Sequence, residues 1–176
     1  DGWNGFPWSD AYTSVMPRVL NIKLAIEEAG DPSGEKFVHL ANIIKVTAMH
    51  RVSDIYGPIR YTKFDDFETT GQYDSQDLAY QSFFDDLGAA IDGLEAFEGE
   101  GQFTPFDMSN LAGDIALWRQ FANSMRLRLA VRIVKINPAL AQTQGELSLA
   151  SNAGLMETSD MYINTGFAHP ITTISG

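Results

Sequence analysis

The sequence predicts an all-α chain of packed helical hairpins with long irregular loops, and three observations carry that expectation. Apolar residues recur at steps of three and four along most of the chain, the period of one helix face. Breakers separate the periodic stretches: Gly30 to Pro32, Gly57-Pro58, the Gly/acid-rich stretch 98–113 and Asn137-Pro138. One stretch, residues 114–136, is apolar on two arcs, which suits a helix packed between neighbours. Helical hairpins around such an element make a bundle or a TPR-like stack, although no sharp 34-residue repeat is present.

The first eight residues are aromatic and Gly-rich and read as loop. Ser9 or Asp10 can cap a helix with Tyr12, Val15, Val19, Ile22 and Ile26 on one face, kinked at Pro17 and ended near Gly30. A second helix follows Ser33-Gly34, with Phe37, Leu40, Ala41, Ile44, Ala48, Val52 and Ile55 as its stripe. Residues 59–73 then form an aperiodic connection of a length often tied to function. Ser75 opens a third helix that faces Tyr80, Phe84, Leu87, Ile91 and Leu94 inward. The fourth runs from a cap at Asp114 to 136, with Trp118, Ala122, Met125, Leu129, Ile133 and Ile136 on one arc and Leu127, Val131 and Val134 on the other. Asn137-Pro138 starts a fifth, weaker helix through about Ala150, and the tail after Asn152 reads as loop or short strand.

Composition narrows the function. A chain of 176 residues, 44% hydrophobic, can bury a substantial core. Its net charge of -11 argues against a nucleic-acid partner, which needs a basic footprint. With no cysteine there is no disulfide, thiolate metal site or thiol nucleophile. No apolar run approaches the roughly 20 residues of a membrane span. The ends look like those of a fragment of a longer chain.

The sequence shows no catalytic constellation. His39 and His50, roughly 16 Å apart along a helix, are too distant to share a metal ion and read as surface or core-edge histidines. Asp65-Asp66 and Asp85-Asp86 read as solvated charge rather than a glycosidase pair. The oxygens of Asp107, Ser109, Asn110 and Asp114 suit a hard cation but lack the EF-hand pattern, and capping explains Asp114. No phosphate loop, nucleophile elbow or HExxH occurs. The aromatics say more. Trp3, Phe6 and Trp8 lie in a loop, and Tyr61 and Tyr73 bracket the long connection, where flat rings suit stacking on sugar faces. Trp8 and Tyr12 are assigned to packing, which leaves Trp3, Tyr61 and Tyr73 as the glycan-binding candidates.

Four motifs in order carry a family resemblance. They are Tyr73-Asp74 with Tyr80, Phe84-Asp85-Asp86-Leu87 and Ala90; Gly113-Asp114 with Trp118 and the run Phe121-Ala122-Asn123 to Arg132; Ser53-Asp54 to Gly57-Pro58 with Tyr61; and Trp8, Tyr12, Leu20, Ile22, Ile26 and Ala29. Together they resemble the SusD/RagB superfamily of outer-membrane glycan-binding lipoproteins, with one departure at Arg60, where the family usually has proline. The resemblance implies a TPR-derived helical fold, a lipid anchor on an N-terminal cysteine outside this chain, and an extracellular face. It also implies an oligosaccharide ligand and a TonB-dependent SusC-like transporter as partner, with no cofactor and no catalysis. Family chains run to roughly five hundred residues, so residues 1–176 would be an N-terminal-half portion. Asp54, Asp74, Asp114, Trp118, Asn123, Arg126, Arg128 and Arg132 are motif residues read as architecture. Arginines on a helix apolar on two faces need buried partners, so carboxylate or carbonyl partners are expected for some of them, with Asp54 and Asp74 as candidates. A TPR-type scaffold that binds a protein segment is the alternative reading.

Overall fold

A computed structural model of the chain describes residues 5–64, 71–99 and 103–157. It consists of α1 (Phe6–Asp10), a π-helical segment (Ala11–Val15), α2 (Met16–Ala29), a 3-10 turn (Pro32–Gly34), α3 (Glu35–Tyr56), α4 (Gln76–Glu95), α5 (Ile115–Arg132) and α6 (Pro138–Ala150). Ile59 and Asp74 form an isolated antiparallel bridge.

The caps follow the expected chemistry. Ser75 accepts from Leu78 N, Asp114 from Ala116 and Leu117 N, and Asn137 from Leu140 N. Each such cap satisfies a first-turn N–H that would otherwise lack an intrahelical partner and contributes about 1 kcal/mol. The first helix differs from expectation. It begins at Phe6, because Pro7 lacks an N–H that a first turn would leave idle. Pro17 then breaks the ladder within the longer helix, and the turn before it widens to a π segment instead of a simple kink.

Helix α4 is the central element: α3 and α5 both pack along it and meet each other only marginally, while α6 lies on α5. Its inward residues Phe83, Phe84, Leu87, Ile91 and Leu94 are buried, and α3 contributes Ile43, Val46, Met49 and Val52. At the α3–α4 crossing Gly93 faces the His39 ring so closely that a Cβ would displace it. The α3 stripe is rotated from expectation, with Ile44 and Ile55 exposed and Ile43 and Met49 inside. Leu40, Ala41 and Val52 are shared by both patterns, which is why the helix was legible and its azimuth was not.

Helix α5 departs further. Its inner arc of Trp118, Ala122, Met125 and Leu129 is buried as expected. The regular helix stops at Arg132, so Ile136, expected at the end of that arc, is 87% exposed, and Val131 and Val134 of the second arc are exposed as well. Leu127 of the second arc is half-buried, beside Leu155 and Met156.

The arginines of α5 split by environment. Arg119, 2% exposed, donates from Nε to the Ile91 carbonyl (2.8 Å) and from Nη2 to Asn152 Oδ1 (3.0 Å), and it pairs with Glu98. Arg126 donates to Gln144 on α6 at 2.7 Å. Arg132 Nε meets Asp54 Oδ2 at 2.8 Å, and Tyr80 donates to the other oxygen of Asp54 at 2.6 Å, so one carboxylate joins α3, α4 and α5. Asp54 is therefore an arginine partner. Asp74 is not: its carboxylate serves backbone, as described below. Asn123, fully buried, ties α5 to the end of α6 by donating to the Ser148 and Gly154 carbonyls.

The stretch 103–113 has the same economy. Asp107 accepts from Ser109 N, Gly113 N and Trp118 Nε1, all within 2.8 Å. Desolvation would raise its pKa, but these hydrogen bonds outweigh it and hold the carboxyl below the ordinary range. Its oxygens are thereby committed, and no group of metal-ligating side chains occurs among the described residues. Gly113, at φ +74°, packs against the backbone of Phe103 and Thr104 where a Cβ would collide.

Candidate functional site

The long connection is pinned at its base. Ile59 and Asp74 exchange backbone hydrogen bonds at 3.2 and 2.8 Å. The buried Asp74 carboxylate accepts from Tyr61 N (2.8 Å), Thr62 N (2.7 Å) and Thr62 Oγ1 (2.7 Å). A carboxylate receiving adjacent N–H groups fixes the turn that they belong to. Tyr12 holds the same loop from the other side. Its hydroxyl donates to the Arg60 carbonyl at 3.0 Å and accepts from Arg60 N at 2.8 Å. Burial raises its pKa to about 12, so it remains a hydroxyl throughout the physiological range.

On this base stands a row of aromatic rings. Tyr73 lies 6.0 Å from Trp8, centroid to centroid, with planes 35° apart. Trp8 lies 4.7 Å from Tyr12, and Tyr12 lies 6.0 Å from Phe64. Tyr56 meets Trp8 edge-on at 5.3 Å and stiffens the middle of the row. Tyr73 is 59% exposed and Phe6 is 68% exposed, while Trp8 and Phe64 are half-buried. The row thus presents flat apolar surface at its Tyr73 end and runs into the protein at Phe64.

Phe64 also borders a cavity of about 380 Å³ between α2, α3 and α4. Met16 and Val19 supply apolar wall, and Asn42, Lys45 and Asp86 supply polar groups. Lys45 Nζ lies 2.8 Å from Asp86 and 4.6 Å from the centre of the Tyr61 ring. The Tyr61 hydroxyl donates to Asp86. Burial, reinforced by the Asp86 charge, keeps Tyr61 well above the ordinary phenol range. The arrangement offers flat surface next to convergent donors and acceptors, which suits a polyhydroxylated ring.

Of the sequence candidates, Tyr73 stands open on the row. Tyr61 is buried, with its hydroxyl committed and Lys45 over its face, so it lines the cavity and offers no free face for stacking. Trp3 lies outside the described residues. The sequence reading missed Phe64, Asn42 and Lys45, and it took Asp86 for solvated charge. A lysine on α3 and an aspartate on α4, each adjacent to core-facing positions, were the available signal.

The description of the matching family model, SusD and RagB outer membrane lipoprotein, covers residues 1–176. The chain belongs to the SusD-like family. A chitin-binding SusD homologue from Flavobacterium johnsoniae is 38% identical, with a TM-score of 0.82 over 93% of this chain and 34% of the other. A SusD homologue from Bacteroides vulgatus is 35% identical, with a TM-score of 0.83 over 93% and 33%. A further structure described as a chitin-binding protein is 32% identical, with a TM-score of 0.77 over 93% and 34%. Comparison with curated proteins gives no significant match. This SusD-like chain spans about a third of the length of its structural relatives. Among the described residues no helix is long and apolar enough to cross a membrane. The family motifs fall largely on the scaffold: Asp54, Asp74, Trp118 and Asn123 join elements to one another, and Asp114 caps α5.

Proposed function

We propose that this protein captures an oligosaccharide without chemically altering it. The row running from exposed Tyr73 through Trp8 to Phe64 would stack sugar rings, and Asn42, Lys45 and Asp86 in the adjoining cavity would take hydroxyl hydrogen bonds. The observation that carries this reading is the open face of Tyr73 in line with Trp8 beside a cavity rich in donors and acceptors. Trp3 remains a proposed glycan-binding residue.

Two relatives bind chitin, so β-1,4-linked N-acetylglucosamine oligomers are the ligand class proposed first. Within the longer protein the captured glycan would pass to a TonB-dependent SusC-like transporter, with the lipoprotein held at the outer membrane's extracellular face by an anchor. A glycan array on the full-length protein, followed by calorimetry with chitin oligomers, tests the proposal. Tyr73→Ala is expected to weaken binding roughly tenfold, the scale of one stacked ring. Unchanged affinity would remove the row from the site.

A further inference from the structure

A second groove, sharing no lining residue with the cavity above, lies between α3 and α5 on the opposite arc of α3. It measures about 480 Å³. Ile55, Phe121 and Met125 provide its apolar lining, and Arg51, Arg128 and Arg132 provide its charge. Arg51 and Ile55 are one turn apart on α3, and Arg128 and Arg132 are one turn apart on α5, so each wall presents residues in helical register.

The charge is anomalous for this chain. Three of its twelve Lys and Arg converge on one groove of a protein with net charge -11. Asp54, the acidic residue of that lining, is occupied by Arg132 and Tyr80. Among the described residues no carboxylate pairs with Arg51 or Arg128, both of which are exposed. The groove therefore carries net positive charge over an apolar lining. Beyond Arg128 the exposed aliphatic Val131 extends the same surface.

We propose that this groove docks a peptide segment of a partner protein that alternates carboxylate and aliphatic side chains. Its carboxylates pair with Arg51 and Arg128, and its aliphatic side chains cover Ile55 and Met125. Peptide suits the surface better than acidic glycan, because the exposed apolar groups Ile55 and Val131 are aliphatic, and Phe121 is half-buried where sugar stacking uses open flat rings. Arginine is also the side chain best fitted to bidentate capture of a carboxylate. Binding here is independent of the glycan reading.

The test uses full-length protein and a fluorescein-labelled peptide of roughly twelve residues built from Glu and Leu, with a Gln-for-Glu counterpart, read by anisotropy. Expected is binding that weakens at least tenfold between about 50 and 300 mM salt. The Arg51→Gln/Arg128→Gln variant, changed only at exposed positions, should lose at least tenfold in peptide affinity and keep glycan binding. Tyr73→Ala should leave peptide binding unchanged. Equal binding of the Gln peptide, or no effect of the arginine variant, overturns the proposal. So does failure of the peptide to bind full-length protein, which would mean that the groove is covered by the rest of the chain. Tighter arginine-dependent binding of polygalacturonate than of the peptide would reassign the groove to acidic glycan and equally overturn it.

Discussion

Replacing Asp74 by alanine probes the joint on which the candidate site stands. The carboxylate, 5% exposed, accepts three hydrogen bonds at 2.7–2.8 Å from Tyr61 N, Thr62 N and Thr62 Oγ1. Thr62 is exposed, so its two donors can turn to water at a cost of about 1 kcal/mol. Tyr61 is buried, and its N–H without an acceptor costs roughly 1–3 kcal/mol. The expected loss is about 3 kcal/mol, which for a chain of this size corresponds to a fall in Tm of about 6–12 °C. Asp74→Asn retains one acceptor oxygen and should lose about half as much. Urea unfolding followed by circular dichroism measures both. Because the released loop carries Tyr61 and Phe64, glycan affinity should fall with Asp74→Ala even well below its melting temperature. A stability change below about 0.5 kcal/mol would refute the reasoning that this carboxylate organises the loop.

Three further outcomes follow from the same structure. Arg119→Leu removes the side-chain donor to the Ile91 carbonyl and leaves Glu98 to pair with water, and should cost about 1–3 kcal/mol by urea unfolding, with Arg119→Lys intermediate because it lacks the planar fork. Gly93→Ala drives a methyl into the His39 ring and should cost about 1–3 kcal/mol by the same measurement. Burial lowers the His50 pKa, only partly offset by its hydrogen bond to the Val46 carbonyl, so the folded state favours the neutral ring. That contribution is complete above the unfolded value near pH 6.5 and declines as pH falls below it. His50→Gln should therefore show a smaller Tm decrease than the parent between about pH 7.5 and 5.5.

Much of the scaffold was legible because it rests on local chemistry. Ser75, Asp114 and Asn137 each cap the helix that they precede, and the α4 stripe from Tyr80 to Leu94 is buried throughout. The azimuth of α3 was not legible, because Ile43 and Ile44 are equally apolar and only the position of α4 decides between them. On α5 the inner arc was read correctly as far as Leu129, and the cover of the rest was overestimated, since Val131, Val134 and Ile136 are exposed. The site was harder still. The row of rings brings together residues from 8 to 73, and long-range contacts such as the pairing of Ile59 with Asp74 set Tyr73 beside Trp8. Tyr61 shows the limit: its position on the loop suggested an open ring, whereas Lys45 and Asp86 enclose it.

The central claim is glycan capture at the ring row and its cavity, and calorimetry of full-length protein with chitin hexamer tests it most directly. The account predicts saturable binding, about tenfold weaker in Tyr73→Ala, weaker again when Asn42→Ala is added, and unchanged in Arg51→Gln/Arg128→Gln. Tight binding that is indifferent to both Tyr73 and Asn42 would contradict it.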